Sequence, residues 1–191
     1  MSTKMNKKKK IKKGDIGYID KNKILQLMIS LILLVMVGII YYTGIIKYHN
    51  TKNIYTVLAA VSAIPMAKFA VAYLVMFPYK SSSTKQYEIL EKYTEVKLIS
   101  DLLISSKEKI INVEFAGVRD NSVFCYIPDK KYDKVTCEKY IKSFLETECK
   151  VSSVKVYKEF NKFEKGMAVL NKNETGKYDK RIAELLLIYS M

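Results

Sequence analysis

Two long apolar runs constrain this chain more than any other feature. They cover residues 24–46 and 54–78, and each exceeds the ~20 residues that an α-helix needs to cross a hydrocarbon layer ~30 Å thick. The first run contains no charged residue, and it is longer than the ~7–15 apolar residues of a signal peptide. The polar residues 47–53 join the two runs. We therefore predict a membrane α-helical hairpin with an outer turn at 47–53.

Lysines on either side of the runs predict the orientation of the hairpin. Residues 1–23 carry nine lysines and two aspartates, whereas the turn carries only Lys47 and Lys52. The positive-inside rule then places this basic tail and residues 79–191 in the cytoplasm. We predict a multi-pass protein of the cell membrane with cytoplasmic N and C termini.

The basic tail itself is a candidate binding segment. Lysines beside a membrane span attract anionic phospholipid headgroups by about 1 kcal/mol each. Residues 1–17 contain no aromatic side chain on which a nucleic-acid base could stack, so nucleic acid is the less favoured ligand. The predicted lipid-binding residues are Lys7, Lys8, Lys9, Lys10, Lys12 and Lys13.

Lys68 is the one charged residue within the apolar runs, and neither run contains Asp or Glu. A lysine at the centre of a span disfavours insertion by about 3 kcal/mol. We predict an intramembrane contact that involves Lys68, Ser30 of the first run and Pro65, whose ring frees a backbone carbonyl one turn earlier. Snorkelling of Lys68 to a lipid phosphate, an acidic group of another membrane protein and a transport pathway remain the alternatives.

Small residues also recur along the second run, at Ala59, Ala63, Ala67 and Ala70. Such a stripe lets helix backbones approach closely. It predicts closure of the hairpin or, alternatively, contact with a membrane-protein partner or a second copy of the chain.

Residues 79–85 read as a linker, and residues 86–191 as a small α/β domain with the element order α-β-β-α-β-α-α. Apolar residues at helical spacing predict one helix over 85–109. Alternation on both sides of Asp120-Asn121 predicts a β-hairpin, because both turn residues tolerate positive φ. A helix, a strand near 151–160 and two further helices follow. We expect a three-stranded sheet with helices packed on it.

Chemistry-bearing residues are few in this domain. Cys125, Cys137 and Cys149 lie on the predicted cytoplasmic side, where thiols stay reduced. A Pro-Asp pair that ends at Asp129 and the later Glu148-x-Lys150 match the P-D…(D/E)-x-K spacing of Mg²⁺-dependent nucleases, in which the carboxylates hold the ion. We predict no catalytic residue, metal or cofactor. The alternative is a membrane-tethered enzyme, either a nuclease that uses Asp129, Glu148 and Lys150 or a transferase.

Two stretches, "KKGDIGYID" before the first run and "AIPMAKFAV…MFPYKS" across the second, resemble small uncharacterised two-span membrane proteins of Gram-positive anaerobes. Some of those proteins carry the label O-linked GlcNAc transferase-like. The resemblance covers about a third of the chain, implies two spans and brings no catalytic residues. From the two apolar runs, the distribution of lysines and Lys68, we expect an integral membrane protein with a cytoplasmic α/β adaptor or regulatory domain that assembles with another membrane protein.

Overall fold

A computed structural model describes residues 11–105, 110–129 and 131–191. The predicted lipid-binding residues Lys7, Lys8, Lys9 and Lys10 lie outside these ranges. The described residues contain six helices and a four-stranded sheet. They form two compact units, a helical unit of residues 19–80 and a domain that combines residues 11–18 with residues 81–191.

The helical unit contains the helices α1 (Tyr18–Tyr48) and α2 (Ile54–Met76). Both are long and apolar enough to cross a membrane. Helix α1 begins six residues before Ile24, and Asp20 in its first turn suits the positive end of the helix dipole. The side chain of Asn53 caps α2 by accepting a hydrogen bond from the Thr56 amide at 3.0 Å.

The two helices of this unit lie side by side. At the turn, a Cβ atom on Gly44 would lie 2.6 Å from the Cβ of Tyr55, so only glycine permits this approach. At the open end, Asn22 Nδ2 lies 3.5 Å from the sulfur of Met76. Between these ends, the less exposed residues recur at spacings of three and four along each helix, as in a packed pair. The remaining apolar faces are exposed, whereas the core helix of a soluble protein is mostly buried.

The domain contains four strands and four further helices. In chain order these are α3 (Thr84–Leu90), β1 (Lys97–Ser105), β2 (Ile110–Arg119), β3 (Ser122–Tyr126), α4 (Lys134–Glu146), β4 (Ser153–Tyr157), α5 (Phe160–Leu170) and α6 (Asp179–Tyr189). The strands form one mixed sheet in the order β1-β2-β3-β4. Strands β1, β2 and β3 are antiparallel, and β4 runs parallel to β3.

Both faces of the sheet are covered. Side chains of α4 and α6, among them Ile141 and Leu186, form the larger core with one face of the sheet. Phe163 and Met167 of α5 and Leu90 of α3 form the smaller core on the other face. The sheet is therefore the middle layer of the domain.

The predicted element order is wrong at one place. Residues 85–109 do not form one helix, because α3 ends at Leu90 and residues 97–105 are strand β1. Since both faces of the sheet are covered, β1 is apolar on both sides and shows no alternation, so its sequence fits helical spacing equally well. The observed order is α-β-β-β-α-β-α-α, and the sheet has four strands rather than three.

The predicted hairpin around Asp120-Asn121 is confirmed. These residues have φ values of 53° and 50°, and they join β2 to β3, which pair antiparallel. Such left-handed backbone suits the right-handed twist of the two strands. The carboxylate of Asp179 in α6 accepts hydrogen bonds from the amides of Asp120 at 3.2 Å and Asn121 at 2.8 Å, and so fastens the turn.

The burial of the three cysteines predicts how fast their thiols react in the folded chain. All three are buried as free thiols, and burial raises the pKa of Cys125 to about 12 and also raises the pKa of Cys137. A thiol reacts with maleimide as its thiolate. We therefore expect the detergent-purified native chain to label slowly at pH 7.5, and all three thiols to label at once after denaturation. Mass spectrometry counts the adducts, and rapid native labelling of two or more thiols would contradict the packing.

Candidate functional site

Lys68 lies on the exposed side of α2. It is the one charged residue of this helix, and its neighbours Pro65 and Ala67 are exposed as well. Pro65 and Lys68 are three residues apart, so they share a helical face. Within the described ranges, no hydrogen bond or ion pair joins Lys68 to another residue. The structure thus places a cation on an apolar surface.

Ser30 has a different position. It is partly buried on α1, in line with the partly buried Leu33 and Val37. No hydrogen bond joins it to Lys68 in the part of the chain that the structure describes. The structure therefore brings Lys68 and Pro65 together on one face and leaves Ser30 on the side of α1 that packs within the hairpin.

The alanine stripe of α2 is divided between two environments. Ala59 is buried, and Ala63 and Ala70 are partly buried. Ala67, by contrast, is exposed next to Lys68. Close helix packing within the hairpin thus occupies three of these positions, and Ala67 remains on the outer face.

The nuclease-like residues are not brought together. Asp129 follows β3, ahead of α4, and its Oδ1 accepts a hydrogen bond from the Lys131 amide at 2.9 Å. Glu148 lies beyond the other end of α4 and pairs with Arg181, while Lys150 is exposed. Helix α4 has 13 residues and separates its ends by about 20 Å at 1.5 Å per residue. Two carboxylates that share one Mg²⁺ at ~2.1 Å each would lie within about 4 Å of each other.

A buried carboxylate in β1 was not identified from the sequence. Asp101 is 1% exposed and has a left-handed backbone with φ of 54°. Its Oδ1 accepts hydrogen bonds from the Ser82 amide at 2.7 Å and the Ser82 hydroxyl at 2.6 Å. Ser82 belongs to the segment that leaves α2. The carboxylate therefore fixes the segment after α2 to strand β1. In the sequence, the only sign of this site is one acidic residue within the apolar stretch "KLISDLLIS".

Glu114 lies beside Asp101. Ser100 pairs with Phe115 and Leu102 with Val113, so Asp101 and Glu114 occupy the gap in the register between these pairs. Burial raises the pKa of Glu114, and the negative charge of Asp101 raises it further. The Ser82 hydroxyl also lies 2.7 Å from the Glu114 carbonyl oxygen. The Asp101 carboxylate, the Ser82 hydroxyl and the backbone carbonyl of Glu114 thus meet at the middle of β1 and β2.

The segment that leads into α1 is bonded to Ser100, the residue before Asp101 in β1. The Ser100 amide donates a hydrogen bond to the Gly14 carbonyl at 2.8 Å. Gly14 has φ of 90°, and a Cβ there would lie 2.6 Å from the Leu187 side chain, so this docking requires glycine. Lys13 donates to the Ser190 carbonyl, and burial lowers its pKa. Of the two predicted lipid-binding lysines that the structure describes, Lys13 is therefore bonded to the domain and Lys12 is exposed.

The hydrogen bonds to Gly14 and Ser82 come from neighbouring residues of one strand. Ser100 and Asp101 are consecutive residues of the edge strand β1, and they hold the segments before α1 and after α2 respectively. These contacts cover part of a strand edge that would otherwise present unpaired backbone groups. No family model, curated protein or solved structure matches the chain.

The raised pKa of Glu114 predicts how stability depends on pH. Because the folded state holds this proton more tightly, its stabilising contribution is present below the unfolded pKa of ~4.3 and is lost as pH rises through the folded pKa. Glu114→Gln keeps the side chain neutral, so we expect it to raise the melting temperature at pH 8 by about 2 °C and to change it little at pH 4.

Thermal unfolding of the full chain in detergent between pH 4 and pH 8 measures this difference. Glu88→Gln, at an exposed position of α3, is the matched control and should leave the pH profile unchanged. A Glu114→Gln variant that melts at or below the wild-type temperature at pH 8 would contradict the assignment of Glu114 as a destabilising charge.

Proposed function

We propose that this chain is a multi-pass protein of the cell membrane whose α/β domain serves as a cytoplasmic adaptor or regulatory module. Two helices that are long and apolar enough to cross a membrane support the location. The nine lysines of residues 1–23, compared with two in the turn at 47–53, support cytoplasmic termini. The exposed Lys12, together with the lysines before it in the sequence, would bind anionic phospholipid headgroups.

The exposed position of Lys68 is the observation that supports assembly with another membrane protein. It lies nine residues before Phe77, about 13 Å along the helix from the end of the span. A lysine side chain reaches only part of that distance, so snorkelling relieves the unfavourable free energy of burial without removing it. An acidic group on a neighbouring transmembrane helix would neutralise the charge where it lies.

The chemistry of that partner follows from the sequence. Residues 24–46 and 54–78 contain no Asp or Glu, so the spans of a second copy offer no carboxylate to Lys68. The partner is therefore a different membrane protein that carries an acidic residue within the bilayer. Ala67 beside Lys68 would let the partner helix approach closely.

The attachment of the hairpin supports a regulatory role for the domain. The chain leaving α2 reaches Asp101 through Ser82, and the chain entering α1 reaches Ser100 through Gly14. A partner that moves α2 would act on these hydrogen bonds and hence on β1. The conformation of the edge strand β1 would then depend on whether the partner is bound.

Affinity purification in mild detergent tests the assembly. We compare the wild type with Lys68→Met, which removes the charge but keeps a long side chain, and with Lys68→Arg, which keeps the charge. We expect a membrane protein to co-purify with the wild type in stoichiometric amount, to fall about tenfold or more with Lys68→Met, and to persist with Lys68→Arg.

Lys52→Met is the matched control, because Lys52 is an exposed lysine of the turn outside the helices. It should leave the recovered partner unchanged. Quantitative mass spectrometry of the eluates gives the ratios. Equal recovery of the same proteins with the wild type and Lys68→Met would show that Lys68 serves no assembly, and would sink the proposal.

A further inference from the structure

We infer that the open end of the hairpin carries a groove for a zwitterionic phospholipid; this inference rests on the membrane location proposed above. The groove has a volume of about 360 Å³, within the ~300–1,000 Å³ that is usual for small-molecule sites. It is lined by Asp20, Lys23, Ile24, Leu27, Tyr73 and Phe77. All six residues belong to the helical unit.

The polar end of the groove carries a pair of opposite charges. Lys23 Nζ lies 3.0 Å from Asp20 Oδ1 and also donates to the Tyr79 carbonyl. An ammonium group has three donors, so a third remains for a ligand oxygen. The Asp20 side chain is 54% exposed, so a ligand cation can approach it from solvent.

This pairing decides the class of headgroup. Lys23 and Asp20 together have no net charge, so they offer no general attraction to anionic lipids. They do offer one cation and one anion side by side. A zwitterionic headgroup of the ethanolamine type matches both, with its phosphate at Lys23 and its ammonium at Asp20.

The rest of the groove suits the part of the lipid next to its headgroup, because about 360 Å³ does not hold whole acyl chains. Ile24 is the first residue of the uncharged run, and Leu27 lies one turn further in. Tyr73 and Phe77 form the opposite wall, with ring centroids 5.8 Å apart and planes at 63°. Aromatic rings favour the headgroup level of a bilayer. From charged mouth to apolar end, the groove thus follows the order of headgroup and acyl chain in a phospholipid.

Selectivity between headgroups distinguishes this groove from the basic tail. The tail lysines attract lipids of negative net charge. The groove, by contrast, needs the ligand ammonium as well as the phosphate. Phosphatidylethanolamine and phosphatidylglycerol with identical acyl chains therefore separate the two kinds of binding.

Native mass spectrometry of the full chain, purified in mild detergent and stripped of lipid, measures this selectivity by titration with each lipid. Because the tail lysines would themselves bind phosphatidylglycerol, the titration uses a background in which Lys7, Lys8, Lys9, Lys10 and Lys12 are changed to glutamine. In this background we expect one phosphatidylethanolamine to bind about fivefold more tightly than phosphatidylglycerol. Asp20→Asn should abolish that preference, and Lys23→Met should weaken both lipids about tenfold. Lys21→Met, at an exposed neighbour outside the groove, should change neither.

Leu27→Trp provides a test that leaves both charges in place. The larger side chain fills the apolar part of the groove, so this variant should also weaken binding of phosphatidylethanolamine. Equal binding of the two lipids in the background without the tail lysines, or a preference that survives Asp20→Asn there, would overturn the groove. Fractionation of the expressing cells before detergent is added separates failure of the groove from failure of the membrane location. A chain found in the membrane without the preference refutes only the groove, whereas a chain found in the soluble fraction refutes the membrane location.

Discussion

The buried carboxylate of Asp101 is the contact on which the organisation of the domain depends. A carboxylate buried in an apolar sheet is stabilised by hydrogen bonds, and the amide and hydroxyl of Ser82 supply two of them to Oδ1. The second oxygen, Oδ2, is buried and has no hydrogen-bond partner among the described residues. The segment after α2 is thereby fixed to the middle of β1. Because Ser100 holds Gly14 at the adjacent residue, both chain connections of the hairpin are attached to one strand.

Charged residues lie in apolar surroundings in both parts of the chain. In the helices, Lys68 lies on an exposed apolar face. In the domain, Asp101 is buried and Glu114 is partly buried in the sheet. Asp101 has a structural role through Ser82. Lys68 has no such partner among the described residues, and charges within a membrane span are candidates for functional contacts, which is why the proposed assembly rests on Lys68.

Much of the fold could be predicted from local sequence patterns. The apolar runs, the turn at Asp120-Asn121 and the amphipathic α4 and α5 are encoded by neighbours in the chain. Strand β1 could not be predicted, because a strand buried on both faces has no alternation. Lys68 is visible in the sequence as a charge within an apolar run. The site at Asp101 is not, because Ser82 lies 19 residues away and meets it only if residues 97–105 form a strand.

The measurement that tests the orientation most directly is labelling of intact cells with a membrane-impermeant maleimide. The buried native thiols provide a low background. We compare His49→Cys, in the turn, with Lys172→Cys, at an exposed position of the domain. We predict labelling of the first variant in intact cells, and of the second only after lysis. Labelling of Lys172→Cys from outside, or of neither variant before lysis, would contradict a hairpin whose domain faces the cytoplasm.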